Sequence, residues 1–530
     1  MRKTFFLSII TAAFLLVFSS CLDDLNTVPL DDRELTAADV FENPASYRHI
    51  LAKLYAGLAV SGQEGPAGMG DISGIDEGFG QYLRGFFNHQ VLTTDEAVIG
   101  WDDQTIKDLV YHSWTSSDVF IAAMYYRIFY QIVATNEYIR ETTDARLNER
   151  GVTGNLRQQV ERYRAEARWL RALSYWHALD LFGSVPFVTE NDIIGAFFPD
   201  QISANDLFNY IESELIEVAP LMAAPRANEY GRADRAAAWM VLAKLYMNAE
   251  VYIGQARYTD AMTYIEYILD GGYTLEPTYA YLFNADNNPI QNPSLNEMIF
   301  AVPYHGINTQ TYGGTNFIIH AAIGGSMVAG EYGVDGGWGG LRTTENIVNL
   351  FASADQRAMF YTDGQSLDIP DLSDFTNGYA VVKYTNIRRD GTPGTNLAFV
   401  DTDFPMFRLA DVYLMYAEAH LRGGGGNLGT AIGYVNELRE RAFGNASGNV
   451  SGLTLDFILD ERGRELYWEG HRRTDLRRFG RFAGDAYIWP WKGNSAQGLG
   501  TNPRYNLFPI PSSDVNANPS LNQNPDYVGL

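Results

Sequence analysis

The sequence predicts a mainly α protein, a repeat-like helical body carrying a loop-rich, partly extended elaboration, and three observations predict it. Apolar residues recur at three-to-four spacing in 43–58, 119–139, 156–182, 204–219, 233–251 and 258–269, and again in 411–421 and 431–441. Between 271 and 406 that period gives way to Gly, Asn, Pro, Tyr and Trp, with short extended candidates at 298–302 and 379–384. Aromatic residues are 13% of the chain, with 33 Tyr and 50 Gly, which is rich for a helical protein and places rings on loops as well as in a core.

Taken in order, the chain opens with Arg2 and Lys3, an apolar run over 5–18, then Ser19, Ser20 and Cys21. That is the charged, apolar, small-residue order of an export signal, and the run is too short for a good membrane span. Because Cys21 is the only cysteine and ends the run, the sharper reading is a lipoprotein signal over 1–20 with Cys21 lipidated as the mature N-terminus. Plain secretion with an incidental Cys is the alternative. No later stretch approaches about 18 uninterrupted apolar residues, so 21–530 reads as one domain held to a membrane by its lipid anchor only.

Asn43 and Pro44 supply a cap and a first helical position, and the Gly-rich 61–80 reads as loop. In 233–251 the residues Trp239, Leu242, Ala243 and Tyr246 have the Trp, Leu, small, Tyr spacing of a tetratricopeptide first helix, and 258–269 supplies a second with Ala261. A further pair, 411–421 and 431–441, is joined across Gly423, Gly424, Gly425 and Gly426. One such pair cannot bury its apolar stripe alone, so several must stack; the repeat-like regions are about 43–58, 119–270 and 407–480. The long segment 271–406 exceeds what a connector needs and reads as an ordered functional elaboration. The tail, 503–530, is rich in Pro and Asn and reads as an extended run over the surface.

Lys and Arg number 39 against 64 Asp and Glu, and the net charge of −25 argues against a partner held by phosphate neutralisation, so no nucleic acid is expected. The single Cys excludes a disulfide scaffold, a Cys-ligated zinc and a thiol redox pair. The eight His show no metal-ligand spacing, and Asp286, Asn287 and Asn288 read as a polar turn, so neither metal nor cofactor is expected. Glu461, Arg462, Arg464, Glu465, Glu469, His471, Arg472, Arg473, Asp475, Arg477 and Arg478 form a dense charged run. Acids and arginines at helical offsets pair with each other and with helix ends, so the run reads as structural.

Five blocks carry a resemblance: RAEARWLRALSYWHALDLFGSVP (164–186), GRADRAAAWMVLAKLY (231–246), FRLADVYLMYAEA (407–419), ILDERGRELYWEGHRRTDLRRF (458–479) and LFPIPSSDVNANPSLNQNPDY (507–527). In this order they resemble the SusD/RagB family of outer-membrane glycan-binding lipoproteins. The resemblance implies tetratricopeptide-like helix pairs, a loop-rich part that carries the glycan site, an outer-membrane, cell-surface address, and a SusC-like TonB-dependent transporter barrel over which the lipoprotein sits as a lid. The stretch DEGFGQYLRGFFNHQVLTTDEAVIGWDDQ (76–104) is similar to the starch-binding branch. By that match Asp76 and Arg84 are polar sugar contacts, Trp101 is an aromatic platform, and Gln104 stands where Asn is expected; Tyr312 and Trp338 are the other aromatics of the arc.

The chemistry is consistent with that resemblance. A sugar ring packs its C–H face on an aromatic plane and offers a rim of hydroxyls to paired donors and acceptors, which is what Trp beside Asp, Arg and Gln supplies. The expected ligand is starch or a related α-glucan oligosaccharide, whose helical curvature matches an arc of rings. The bland alternative makes Trp101 a core aromatic and Asp76 with Arg84 a surface salt bridge. The rival functions are a surface glycoside hydrolase, which needs two flanking carboxylates, a helical adaptor that binds only protein, or a receptor for another polysaccharide; the expectation is a binding protein and not an enzyme.

Overall fold

The computed structural model describes residues 37–193, 195 and 197–527, so the expected signal run and Cys21 lie outside the described residues. The chain divides into two units, 1–49 and 50–530. The described part of the first holds the short helix Ala37–Phe41, whose Phe41 ring lies 5.0 Å from that of Tyr47. Everything below concerns the second.

Its principal helices are α1 (Tyr82–Phe87), α2 (Val119–Glu141), α3 (Gly154–Phe182), α4 (Ala204–Val218), α5 (Arg235–Met247), α6 (Tyr258–Leu269), α7 (Gly314–Ala321), α8 (Leu409–Leu421), α9 (Leu428–Phe443), α10 (Leu455–Leu466) and α11 (Arg472–Arg478). Side-chain caps fix where several begin. Asp118 accepts from the N–H groups of Phe120 and Ile121 (2.9 and 3.0 Å), Ser203 from Asp206 (3.1 Å), and Asp234 from Ala236 and Ala237 (2.9 and 3.2 Å). Each helix then packs on the next in chain order, α2 on α3, α3 on α4, α4 on α5, α5 on α6, and the series continues through α8 to α9 and α10. This is the stacked-pair body that the periodicity predicts. From Ala165 onward almost every residue of α3 is buried on all sides, because helices flank it on more than one face.

The loop-rich segment is closed at its base by an antiparallel pair, β2 (Met298–Val302) with β4 (Phe404–Arg408), in register Met298↔Arg408 and Val302↔Phe404. Residues 303–403 therefore leave and re-enter the body at one place. Within them sits α7, an eight-residue helix that the Gly-rich flanks conceal from periodicity reading. A second short pair, β1 (Val98–Ile99) with β3 (Leu341–Arg342), ties this excursion to the N-terminal part of the unit.

The charged run is buried, and its partners come from far along the chain. Arg408 pairs with Glu297, Glu465 and Glu469 (2.9, 2.6 and 2.6 Å), Arg357 with Glu461 and Glu465 (2.8 and 3.0 Å), Arg472 with Asp95 (2.7 Å) and Arg473 with Asp180 (3.0 Å). Burial works against the Glu461 carboxylate, but Arg357, Arg464 and Arg439 together hold it down at about 2. The structural reading of the run is right, whereas its expected pairing along the helix is a minor part. The tail also differs from its expected extended, superficial course. It carries a short helix, Ser512–Ala517, and buries Phe508, Ile510 and Tyr527, with Trp114 Nε1 donating to the Tyr527 hydroxyl at 2.8 Å. Its Pro and Asn content describes the backbone and hides the apolar anchors between.

Candidate functional site

Two hydrogen-bonded anchors build the site. Gln81 accepts from the N–H of Arg84 at the start of α1 (2.7 Å) and from the N–H of Gly314 at the start of α7 (2.9 Å), so one buried amide joins two segments over two hundred residues apart. The β1 and β3 pairing, Val98↔Arg342 and Ile99↔Leu341, then brings Trp101 beside the segment that carries Trp338. Neither Gln81 nor α7 is legible in the sequence as part of a site.

On this base the Arg84 guanidinium lies 4.3 Å over the Phe317 ring of α7 and 5.9 Å from the Trp101 ring, and its Nη1 donates to the carbonyl of Tyr312 (3.1 Å). Burial lowers the Arg84 pKa to about 10, partly opposed by Asp76 and Asp103, so it stays a cation at neutral pH. Asp76 is exposed, and its Oδ1 accepts from the N–H groups of Gly78 and Phe79 (2.8 and 3.0 Å). A Cβ on Gly78 would stand 3.0 Å from Asp76 Oδ1 and 3.1 Å from Arg84 Nη1, so a larger residue there would crowd both side chains where they converge.

The rings form a series. Trp101 and Trp338 have centroids 6.4 Å apart, Trp338 and Tyr312 6.3 Å, and Trp101 meets Phe317 edge-on at 5.9 Å. Trp101 Nε1 donates to the carbonyl of Trp338 (3.0 Å), and a Cβ on Gly340 would fall 2.5 Å from Trp101 Cε2, so the indole needs a glycine opposite it. Beneath Trp338 lies buried His320, stacked at 4.8 Å and 18°. Its Nδ1 donates to the carbonyl of Gly336 (2.7 Å), its own carbonyl accepts from the Trp338 N–H (2.7 Å), and burial lowers its pKa. Trp101 and Trp338 are half-buried and Tyr312 is exposed, so none of the three is a core aromatic.

Of the six residues singled out from sequence, the structure therefore brings together Asp76, Arg84, Trp101, Tyr312 and Trp338. Gln104 lies exposed on the turn after Trp101 with a left-handed backbone (φ 44°). Asp286, Asn287 and Asn288 sit in a buried hydrogen-bonded turn, in which Asn287 Nδ2 donates to the carbonyls of Leu282 and Asp403 (2.7 and 2.9 Å). Among the described residues no group of three or more His, Cys, Asp or Glu could hold a metal ion, and no helix is long and apolar enough to cross a membrane.

The chain is 34% identical, over 99% of its length and the whole of the other protein, to the starch-binding protein SusD of Bacteroides thetaiotaomicron. It belongs to the SusD family. The profile of the SusD family matches residues 361–527, the stretch that holds β4, the charged run and most of the tail. A SusD-like protein of Formosa agariphila, P25, is 28% identical over 67% of this chain and 71% of its own. Among solved structures, surface glycan-binding protein A of Bacteroides thetaiotaomicron in complex with laminarihexaose superposes with a TM-score of 0.68 at 21% identity, covering 90% of this chain and 98% of that one. The corresponding protein of Bacteroides fluxus gives 0.70 at 20% identity, covering 92% and 100%. At such identities these two show the SusD fold, a tetratricopeptide-like helical body, and nothing finer.

Proposed function

We propose that this SusD family member is a cell-surface glycan-binding lipoprotein that captures starch or related α-glucan oligosaccharides and passes them to a SusC-like TonB-dependent transporter. The observation that carries the reading is the convergence of three solvent-accessible rings, the half-buried Trp101 and Trp338 and the exposed Tyr312, with Arg84 and Asp76 beside them. Rings set 43° and 60° to one another suit a curved ligand better than a flat one. The full-length likeness to a relative named starch-binding protein favours α-glucan over other polysaccharides. In this reading Asp76 and Arg84 bind sugar hydroxyls, and the protein binds without cleaving.

Titration calorimetry with maltoheptaose and amylopectin, followed by chromatography of the recovered sugar, tests it. Binding with intact sugar is the expected result. Cleavage would make the protein a hydrolase, and binding only of another polysaccharide would move it out of the starch branch. The address and partner are tested in outer membranes: Cys21→Ala should abolish detergent-phase partitioning, and gentle affinity purification of the parent should recover a large barrel. A parent recovered alone would refute the transporter partnership.

A further inference from the structure

We propose that Phe399 supplies a fourth ring to the arc, so that the site has an additional subsite for one more sugar unit beyond Tyr312. The inference rests on the α-glucan reading above. The Phe399 centroid lies 5.6 Å from that of Tyr312 at 45°, a spacing close to the 6.4 and 6.3 Å steps that separate Trp101, Trp338 and Tyr312. Phe399 is half-buried, and Leu397, two residues before it on the same loop, is 43% exposed, so the loop presents apolar surface to solvent on which a sugar C–H face can pack.

The ring is also held in place before any ligand arrives. The Leu397 carbonyl accepts from the N–H of Asp335, on the segment that carries Trp338 (3.0 Å). The Val400 N–H donates to Asn316 of α7 (3.2 Å), and Asn386 Nδ2 donates to the carbonyl of Asn396 (2.9 Å). Thr395 caps the turn through Asp401, its N–H and hydroxyl donating at 2.7 and 2.6 Å. The loop bearing Phe399 is thus tied to the same short helix whose Phe317 underlies Arg84 and whose His320 underlies Trp338. A ring fixed in this way costs little ordering entropy on binding.

Ligand length is the readout that separates a subsite from a buttress. By calorimetry on the whole mature protein, Phe399→Ala should weaken maltoheptaose about five- to tenfold, the worth of one aromatic contact, and leave maltotriose unchanged. Leu397→Glu, a change at an exposed side chain, should weaken maltoheptaose in the same selective way, and it reads the subsite even if Phe399→Ala folds poorly. Equal loss at both lengths would overturn the proposal, because Phe399 would then merely support Tyr312. No loss at either length would overturn it as well. A parent that binds neither oligosaccharide is a different failure, visible before any variant is made: it refutes the α-glucan reading, and the fourth subsite falls with it.

Discussion

Trp101→Ala is the most informative single change, because the structure gives it two separable costs. The indole is already half-buried against Phe317 and the 338–340 segment, so a bound sugar covers only the remainder. Roughly half of a full aromatic burial plus the stacking increment comes to about 2 kcal/mol, or about thirtyfold in affinity. Stability pays separately. Losing the Nε1 bond to the Trp338 carbonyl and the edge contact with Phe317 should cost about 1 to 2 kcal/mol, a melting shift of about 2–4 °C per kcal/mol or less in a chain of this size. Trp101→Phe divides the two effects, since it retains a stacking face and deletes the Nε1 donor. Calorimetry with maltoheptaose and scanning calorimetry on the same preparations read both numbers. Unchanged affinity with a loss of about 3 to 5 kcal/mol in stability is the signature of a core tryptophan and would refute the platform assignment.

Arg84→Lys keeps the charge but loses the planar contact with Phe317 and the fixed bond to the Tyr312 carbonyl, so maltoheptaose affinity should drop about tenfold with stability within about 1 kcal/mol of the parent; unaltered affinity would remove Arg84 from the site. Glu96 is buried with its carboxylate accepting from the Trp468 N–H (2.9 Å), and burial raises its pKa from 4.5 to about 8 against the opposing pull of Arg472. A raised folded value means stabilisation that is complete below about 4.5 and lost as pH rises through about 8, so the parent should lose about 1.4 kcal/mol per pH unit relative to Glu96→Gln across that window. A melting-temperature gap between parent and variant that stays constant from pH 5 to pH 8 would contradict this. Arg408→Met leaves Glu297, Glu465 and Glu469 buried without their shared cation and should cost at least about 3 to 5 kcal/mol in denaturant unfolding; a change below about 1 kcal/mol would show that Arg357, Arg441 and Lys383 suffice.

The sequence by itself determined what is local. Helix α6 and strand β2 occupy the very residues their patterns indicate, and most other helices differ by a few residues at their ends, because a buried stripe at helical spacing needs only its own segment to be recognised. The candidate residues that the structure brings together, Asp76, Arg84, Trp101, Tyr312 and Trp338, were legible through a linear motif, or as aromatics in a Gly-rich stretch where no helical core requires them. What the tertiary structure alone decided is long-range. The charged run pairs with Asp95, Asp180, Arg357 and Arg408, partners that no offset within a helix could suggest. Gln81, His320 and Phe317 take their roles only after α1 and α7 meet, and Phe399 joins the arc only because loops from two parts of the elaboration lie side by side. Helical period is a property of neighbours in the chain, whereas a polar or aromatic side chain acquires its partner from whichever backbone the packed body sets within a few ångströms of it, and at separations of tens to hundreds of residues that information exists only in three dimensions.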